Sequence, residues 1–159
     1  MPRLELSVRS NGLLVEARVW LSALRREQYF KLGKDVPPAA YAVLIVDTGA
    51  DTTMINEQLL RNLGLTPTSQ TRVLTATSGG KGEACDVYDV CIEIVDKAGN
   101  PMWRVQPVEV LARPLLNQGT DGMLGRDLLD LCVLEYDGPA KVFRLTFPVS
   151  TVLVKEGRT

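Results

Sequence analysis

The 159-residue sequence contains no histidine. That absence excludes Ser-His and Cys-His catalysis within one chain, and it removes a common protein ligand of zinc. The sequence also has no run of about 18 apolar residues, the length that a membrane-spanning helix needs. Lys and Arg number 18 against 19 Asp and Glu, and neither sign is clustered. We therefore expect neither a nucleic-acid partner nor a membrane partner.

Cysteine is scarce: the three cysteines are Cys85, Cys91 and Cys132, and no two form a CxxC pair. Cys85 and Cys91 lie on one predicted strand, about 20 Å apart, whereas a disulfide needs Cα atoms within about 7 Å. Reduced, buried thiols are typical of a cytoplasmic protein, and the N-terminus lacks the apolar segment of a signal peptide. The sequence predicts a cytoplasmic protein with no metal and no cofactor.

A buried-strand pattern that ends in an acid is the main positive feature. The apolar run 42–46 is followed by Asp-Thr-Gly-Ala-Asp at residues 47–51. Such a run predicts a strand that carries a carboxylate at its end, and Gly49 permits a tight turn after it. By itself, a strand that ends in an Asp-Thr-Gly turn is common in β proteins.

Two further stretches accompany this one. Residues 77–82 read Thr-Ser-Gly-Gly-Lys-Gly and precede a strand of alternating polarity. Residues 121–129 read Asp-Gly-Met-Leu-Gly-Arg-Asp-Leu-Leu, an apolar strand that leads through Gly-Arg-Asp into a short helix. With 47–51 they resemble, in order, the active-site loop, flap and second signature of the retropepsins, the retroviral-type aspartic proteases. The resemblance covers roughly residues 40–147.

This resemblance implies roles for named residues. In the family, the Thr of the motif bonds across a dimer, and the Asp after it binds substrate backbone and pairs with the signature Arg. An ordinary surface ion pair between Asp51 and Arg126, contributing ~0–1 kcal/mol, is the alternative. The flap glycines have an alternative as a flexible hairpin turn. The implied catalytic residues are Asp47, Thr48 and Gly49; the substrate-binding residues are Ala50, Asp51, Ser78, Gly79 and Gly80; structural support comes from Gly125, Arg126 and Asp127.

The chemistry of aspartic proteases requires two carboxylates. Sharing one proton, the pair can take a proton from water and donate one to the carbonyl oxygen of the peptide. This chain has one Asp-Thr-Gly, at Asp47, and Asp121-Gly122 lacks the intervening Thr. The second carboxylate must then come from another copy across a twofold axis. The sequence predicts a homodimeric aspartic endopeptidase that cuts extended polypeptides; the alternative is a non-catalytic module that binds peptides or dimerises other domains.

The predicted architecture is mostly β: a single-domain, retropepsin-like closed barrel with one or two short helices, active as a homodimer. It spans residues 1–154, followed by a tail over 155–159. Residues 22–39 break the strand pattern and are interpreted as a surface insertion, with a partner-recognition loop as the alternative. This insertion resembles bacterial stand-alone members more than the compact viral ones.

Three local predictions concern individual elements. Asn11-Gly12 between two alternating runs predicts a hairpin of the first two strands. Asn56 is a favourable N-cap for a short helix that ends before Gly64. The apolar stretch 149–154 is strand-like, and the resemblance implies that it contributes to the dimer interface.

Overall fold

A computed structural model of the chain describes residues 1–74, 79–114 and 119–149, together with the backbone of 151–152. The strands are β1 (Arg3–Ser7), β2 (Leu14–Leu21), β3 (Ala40–Val46), β4 (Met54–Asn56), β5 (Ser69–Val73), β6 (Glu83–Val95), β7 (Pro101–Arg113), β8 (Gly122–Leu124), β9 (Val133–Asp137), β10 (Val142–Thr146) and β11 (Thr151–Val152). The helices are α1 (Ala23–Lys31), α2 (Glu57–Asn62) and α3 (Arg126–Leu129).

Six strands close into a barrel in the order β7, β4, β8, β3, β2, β6, and β6 pairs back to β7. Strands β5 and β11 attach outside this ring, to β6 and β7 respectively. A separate antiparallel sheet contains β1, β10 and β9. The predicted mostly β, single-domain barrel is confirmed.

Alternation along the strands fills the barrel. In β2 every second residue is fully buried, and the residues between them point outward and are only partly exposed. Strand β6 departs from its predicted half-buried pattern, because Cys91 and Glu93 are buried as well as Ile92 and Ile94. The outer face of β6 is therefore covered, in part by the arginines that pair with Glu93.

The predicted hairpin at Asn11-Gly12 is wrong. Strand β1 pairs with β10, with Leu4 opposite Leu145, and only an isolated bridge between Arg9 and Gly12 spans the turn. Leu4 and Leu145 are both buried in the core. Burial of apolar surface in this distant pairing outweighs the local turn preference.

Helix α1 lies inside segment 22–39, for which no helix was predicted. Ser22 caps it, with its Oγ accepting from the backbone N–H of Arg25 at 3.5 Å. Gly33 follows the helix with φ +65°, a conformation that favours glycine. No residue of α1 is buried. In the described part of the chain the helices number three, against one or two predicted.

The short helix after the acid loop is confirmed as α2. The side chain of Asn56 accepts from the N–H of Gln58 at 3.0 Å, and Gly64 follows the helix with φ +70°. Leu60 and Leu63 turn into the core. This helix packs against β4 and β7, and β4 is the strand that follows the loop after Asp47.

At the C-terminus, β11 pairs in parallel with β7 of the same chain, with Thr151 opposite Val105. Residues 150 and 153–159 lie outside the described residues. The proposed part of segment 149–154 in a dimer interface therefore stays a prediction.

Candidate active site

Asp47 lies where β3 leaves the barrel. Its backbone N–H donates to the carbonyl of Leu124 at 3.1 Å, which continues the pairing of β3 with β8. The N–H of Gly49 donates to Asp47 Oδ1 at 2.8 Å. A Cβ on Gly49 would lie 3.1 Å from that oxygen, so a glycine lets the backbone approach closely. Asp47 is only partly buried, and Oδ2 has no hydrogen bond to a described residue.

Hydrogen bonds to the buried Thr53 fix the far end of this loop. Thr53 is fully buried, and its hydroxyl donates to Asp127 Oδ1 at 2.7 Å while accepting from the N–H of Gly125 at 3.1 Å. The N–H of Thr53 donates to both Asp127 oxygens at 3.1 Å. Thr53 was not among the predicted site residues, since a threonine six positions after the acid carries no local pattern. Asp127 supports the loop through Thr53.

Gly125 is required at this point for space. A Cβ there would lie 2.7 Å from the backbone carbon of Thr52 and 2.9 Å from the nitrogen of Thr53, closer than side chains approach. The φ of Gly125 is −91°, which any residue can adopt, so the constraint is contact and not conformation. The second signature thus packs directly under the acid loop.

Arg126 is joined to the acid loop through backbone more than through charge. Its N–H donates to the carbonyl of Ala50 at 2.8 Å, and its Nη1 lies 3.4 Å from the carbonyl of Thr48. Among the described residues, no ion pair links Arg126 to Asp51, so the predicted pair is not formed within the chain. Thr48 and Asp51 are both exposed.

The predicted flap corresponds to the hairpin of β5 and β6. Val73 lies opposite Glu83 at its outer end, and β5 is exposed over most of its length. Gly79 and Gly80 lie in the turn with φ of +61° and +83°, where side chains are strained. Ser78 lies outside the described residues. The described part of the turn is exposed, as a segment that contacts a ligand must be.

One row of backbone pairings connects this hairpin to the acid loop. The carbonyl of Thr53 accepts from the N–H of Leu111 at 3.1 Å. Leu111 lies opposite Val87 in the pairing of β7 with β6, and Val87 lies opposite Ser69 in β5. Thr53 therefore joins the acid loop, the second signature and the sheet from which the hairpin extends.

A second carboxylate beside Asp47 is not supplied by Asp121. The parallel register of β3 and β8 puts Asp47 level with Gly125, four residues beyond Asp121. At ~3.3 Å per residue that separation is about 13 Å. Asp121 instead accepts from the N–H of Val43 at 2.8 Å and links the strands at the other end.

The described residues show neither a group of three or more His, Cys, Asp or Glu placed to hold a metal ion nor a helix long and apolar enough to cross a membrane. The cysteines are free. Burial raises the pKa of Cys91, and it raises the pKa of Cys132 to about 11. Both are therefore neutral thiols near pH 7 and poor nucleophiles.

Comparison with known proteins bears on this geometry. The sequence model of the family described as aspartyl protease matches residues 39–128. The chain belongs to this aspartyl protease family. The matched range contains the Asp47 loop, the hairpin, and the Gly125–Asp127 signature, whereas α1 lies before it. No match was found among curated protein sequences.

The fold of this aspartyl protease family member is similar to the crystal structure of a retropepsin-like aspartic protease from Rickettsia conorii. The TM-score is 0.56, and the match covers 91% of this chain and 90% of that chain at 13% sequence identity. At that identity the similarity shows the fold. The chain is thus a member of the aspartyl protease family with a retropepsin-like fold.

Proposed function

We propose that the protein is an aspartic endopeptidase that acts as a homodimer, with one Asp47 from each subunit at a twofold axis. The observation that carries the proposal is that the one Asp-Thr-Gly motif places Asp47 in a loop held by hydrogen bonds. One carboxylate oxygen is held by Gly49, the other is without a described partner, and the loop is fixed by Thr53 and Asp127. A fixed carboxylate needs little reorganisation when charge develops.

The proposed mechanism uses the two Asp47 carboxylates as a pair that shares one proton. The ionised carboxylate accepts a proton from water, the hydroxide attacks the peptide carbonyl, and the neutral carboxylic acid protonates the carbonyl oxygen. Proton transfer to the amide nitrogen then releases the amine product and a new carboxyl end. Two carboxylates in contact across the axis would not both ionise, because their like charges repel, and the pair therefore keeps the shared proton.

The exposed groups around Asp47 fit the remaining roles. Thr48 is exposed in the isolated chain, as expected for a residue that bonds across a dimer axis. Asp51 is exposed without an ion pair to a described residue, so its carboxylate is available to substrate N–H groups. Gly79 and Gly80 present backbone to a peptide that lies extended beneath the hairpin.

The first test is cleavage of a proteome-derived peptide library, with products identified by mass spectrometry. Asp47→Asn should abolish cleavage while the melting temperature stays within a few degrees of wild type. Asp35→Asn, an exposed acid in the insertion, is the matched control and should cut normally. Wild-type cleavage by Asp47→Asn would disprove the proposal. Peptide binding without cleavage by wild type would favour the non-catalytic module.

A second test addresses the dimer. Wild type and Asp47→Asn are mixed in equal amounts under conditions that exchange subunits, so about one quarter of the dimers carry two Asp47 residues. The cleavage rate per amount of total protein should therefore fall to about one quarter of the wild-type rate. A fall only to one half would mean that each subunit works alone.

A further inference from the structure

A charged row crosses the outer face of the barrel on β2, β6 and β7. Arg18 lies opposite Glu93, and Glu93 lies opposite Arg104. Glu93 is 7% exposed; its Oε2 accepts from Arg104 Nε and Nη2 at 2.8 and 2.5 Å, and its Oε1 forms an ion pair with Arg18 Nη2 at 2.9 Å. A buried carboxylate needs compensation. Two guanidinium groups share this one, so the row carries excess positive charge.

The neighbouring row is apolar, and segment 22–39 folds onto it. Trp20 lies opposite Cys91, and the indole N–H of Trp20 donates to the carbonyl of Pro37 at 2.9 Å. The guanidinium of Arg26 in α1 lies 4.0 Å from the centre of the Trp20 ring, and it bonds Gln106 Oε1 at 3.1 Å. These contacts fix the segment against β2 and β7.

A cavity of about 310 Å³ lies between the two rows. The residues that line it are Arg18, Trp20, Ala39, Cys91, Glu93, Pro101 and Arg104. The volume is at the small end of the range for ligand pockets. Its walls thus combine two guanidinium groups with an indole, a proline ring and a neutral thiol.

This cavity is far from Asp47. Arg18 lies opposite Tyr41 in the pairing of β2 with β3, and Tyr41 precedes Asp47 by six residues. At ~3.4 Å per residue the separation along the strand is about 20 Å. The cavity therefore belongs neither to the acid loop nor to the hairpin that extends from β5 and β6.

We propose that this cavity, closed on one side by segment 22–39, binds a carboxylate attached to a small apolar group. Arg18 and Arg104 would bind the carboxylate, and Trp20 and Pro101 would contact the apolar group. The side chains of Arg18 and Arg104 are 39% and 50% exposed, so a ligand can reach them.

Two features of the row favour an anion over a neutral ligand. In Arg104, Nη2 donates to Glu93; in Arg18, Nη2 donates to the carbonyl of Gly99 at 3.1 Å and forms the ion pair with Glu93. In neither arginine does Nη1 form a hydrogen bond to a described residue. The guanidinium groups are therefore held in place and still have N–H groups that can donate to a ligand. Because these groups are already ordered, less entropy is lost when an anion binds. Charge-assisted hydrogen bonds of this kind are the stronger class.

The test compares N-acetyl-L-leucine with N-acetyl-L-leucinamide, in which an uncharged carboxamide replaces the carboxylate, by titration calorimetry on the intact chain. The acid should bind saturably and at least roughly tenfold more tightly than the amide. Quenching of tryptophan fluorescence that is lost in Trp20→Phe places binding in the cavity. Equal binding of the two probes, or no saturable binding of the acid, would overturn the proposal.

Arg104→Gln removes one guanidinium and keeps the Arg18–Glu93 pair. It should weaken acid binding roughly tenfold and leave amide binding unchanged. Arg144→Gln is the matched control, because Arg144 pairs with Glu5 on the other sheet. Arg18→Gln, which removes the other guanidinium and keeps the Arg104–Glu93 pair, serves if the first variant is unfolded. A folded variant of either arginine that lacks the charge and binds the acid as wild type does contradicts the site.

The carboxylate has two possible sources, a free organic acid and the C-terminus of a peptide. Hexanoate, which has no peptide group, distinguishes them. Binding of hexanoate equal to that of N-acetyl-L-leucine assigns the site to free acids, and weaker binding assigns it to peptide ends. Neither measurement uses proteolysis, so the inference stands apart from the proposed activity.

Discussion

Replacing Thr53 with valine tests whether the network under the acid loop maintains the site. Valine has nearly the same shape as threonine but no hydroxyl. The change leaves the N–H of Gly125 without its acceptor in a buried position, and it removes the 2.7 Å bond to Asp127. Both losses fall on the link between the acid loop and the second signature.

The magnitude follows from the two bonds. A buried donor left unsatisfied costs about 1–3 kcal/mol, and a hydrogen bond to a charged group contributes about 1.5–3 kcal/mol. Asp127 is exposed and keeps its bonds to the N–H of Thr53, so the second loss is reduced. We expect a loss of about 2–4 kcal/mol in the free energy of unfolding, or roughly 5–15 °C in melting temperature for a chain of this size.

Urea denaturation and differential scanning calorimetry measure the loss, and peptide cleavage measures its effect on the site. Thr53→Ser is the control, because it keeps the hydroxyl and removes one methyl group, which costs about 1 kcal/mol. The kcat of Thr53→Val should fall more than that of Thr53→Ser at a temperature where both are folded. If the valine variant is as stable as the serine variant, the network does not support the loop.

Three further predictions test other parts of the structure. Gly125→Ala should lower the free energy of unfolding by about 1–3 kcal/mol or more, because the Cβ of the alanine would clash with the backbone of Thr52. An unchanged melting temperature in calorimetry would refute this. Arg126→Ala should cost under about 1 kcal/mol in the isolated chain, since no ion pair to a described residue is lost, and a larger loss in urea denaturation would contradict this. Burial raises the pKa of the Cys132 thiol from 9.0 to about 11, so the contribution of the neutral thiol to the free energy of unfolding is full below pH 9 and lost as pH rises to 11. Between pH 8 and pH 10.5, urea denaturation should show wild type losing about 1–2 kcal/mol more than Cys132→Ala, after discounting for partial exposure. Equal losses in the two proteins would show that ionisation of Cys132 does not affect stability.

Local patterns were sufficient where a feature depends on neighbouring residues. The helix after Asn56 follows from capping chemistry, which acts over a few residues. Helix α1 was missed although Ser22 and Gly33 mark its ends, because residues 22–39 break the strand pattern and were interpreted as a surface insertion. These two end signals would have been enough to predict the helix.

Distant pairings were decided by the tertiary structure. A strong turn at Asn11-Gly12 predicted a hairpin, yet β1 pairs with β10, more than 130 residues away. No sequence pattern indicated that Thr53 contacts Asp127, or that Glu93 lies between two arginines. Partners on separate strands are selected by burial and register over the whole barrel, and no local pattern records that selection.

Residue identity and spacing set the chemistry available: one Asp-Thr-Gly at Asp47, no histidine, and alternating strands that must close around an apolar interior. These depend on residue identity and short-range spacing, which a chain carries into any fold. Tertiary structure decided how Asp47 is held, because Thr53 and Asp127 are 74 residues apart and meet only when the barrel closes. It also decided that Arg126 reaches Thr48 and not Asp51, since side-chain partners depend on distances that only packing fixes.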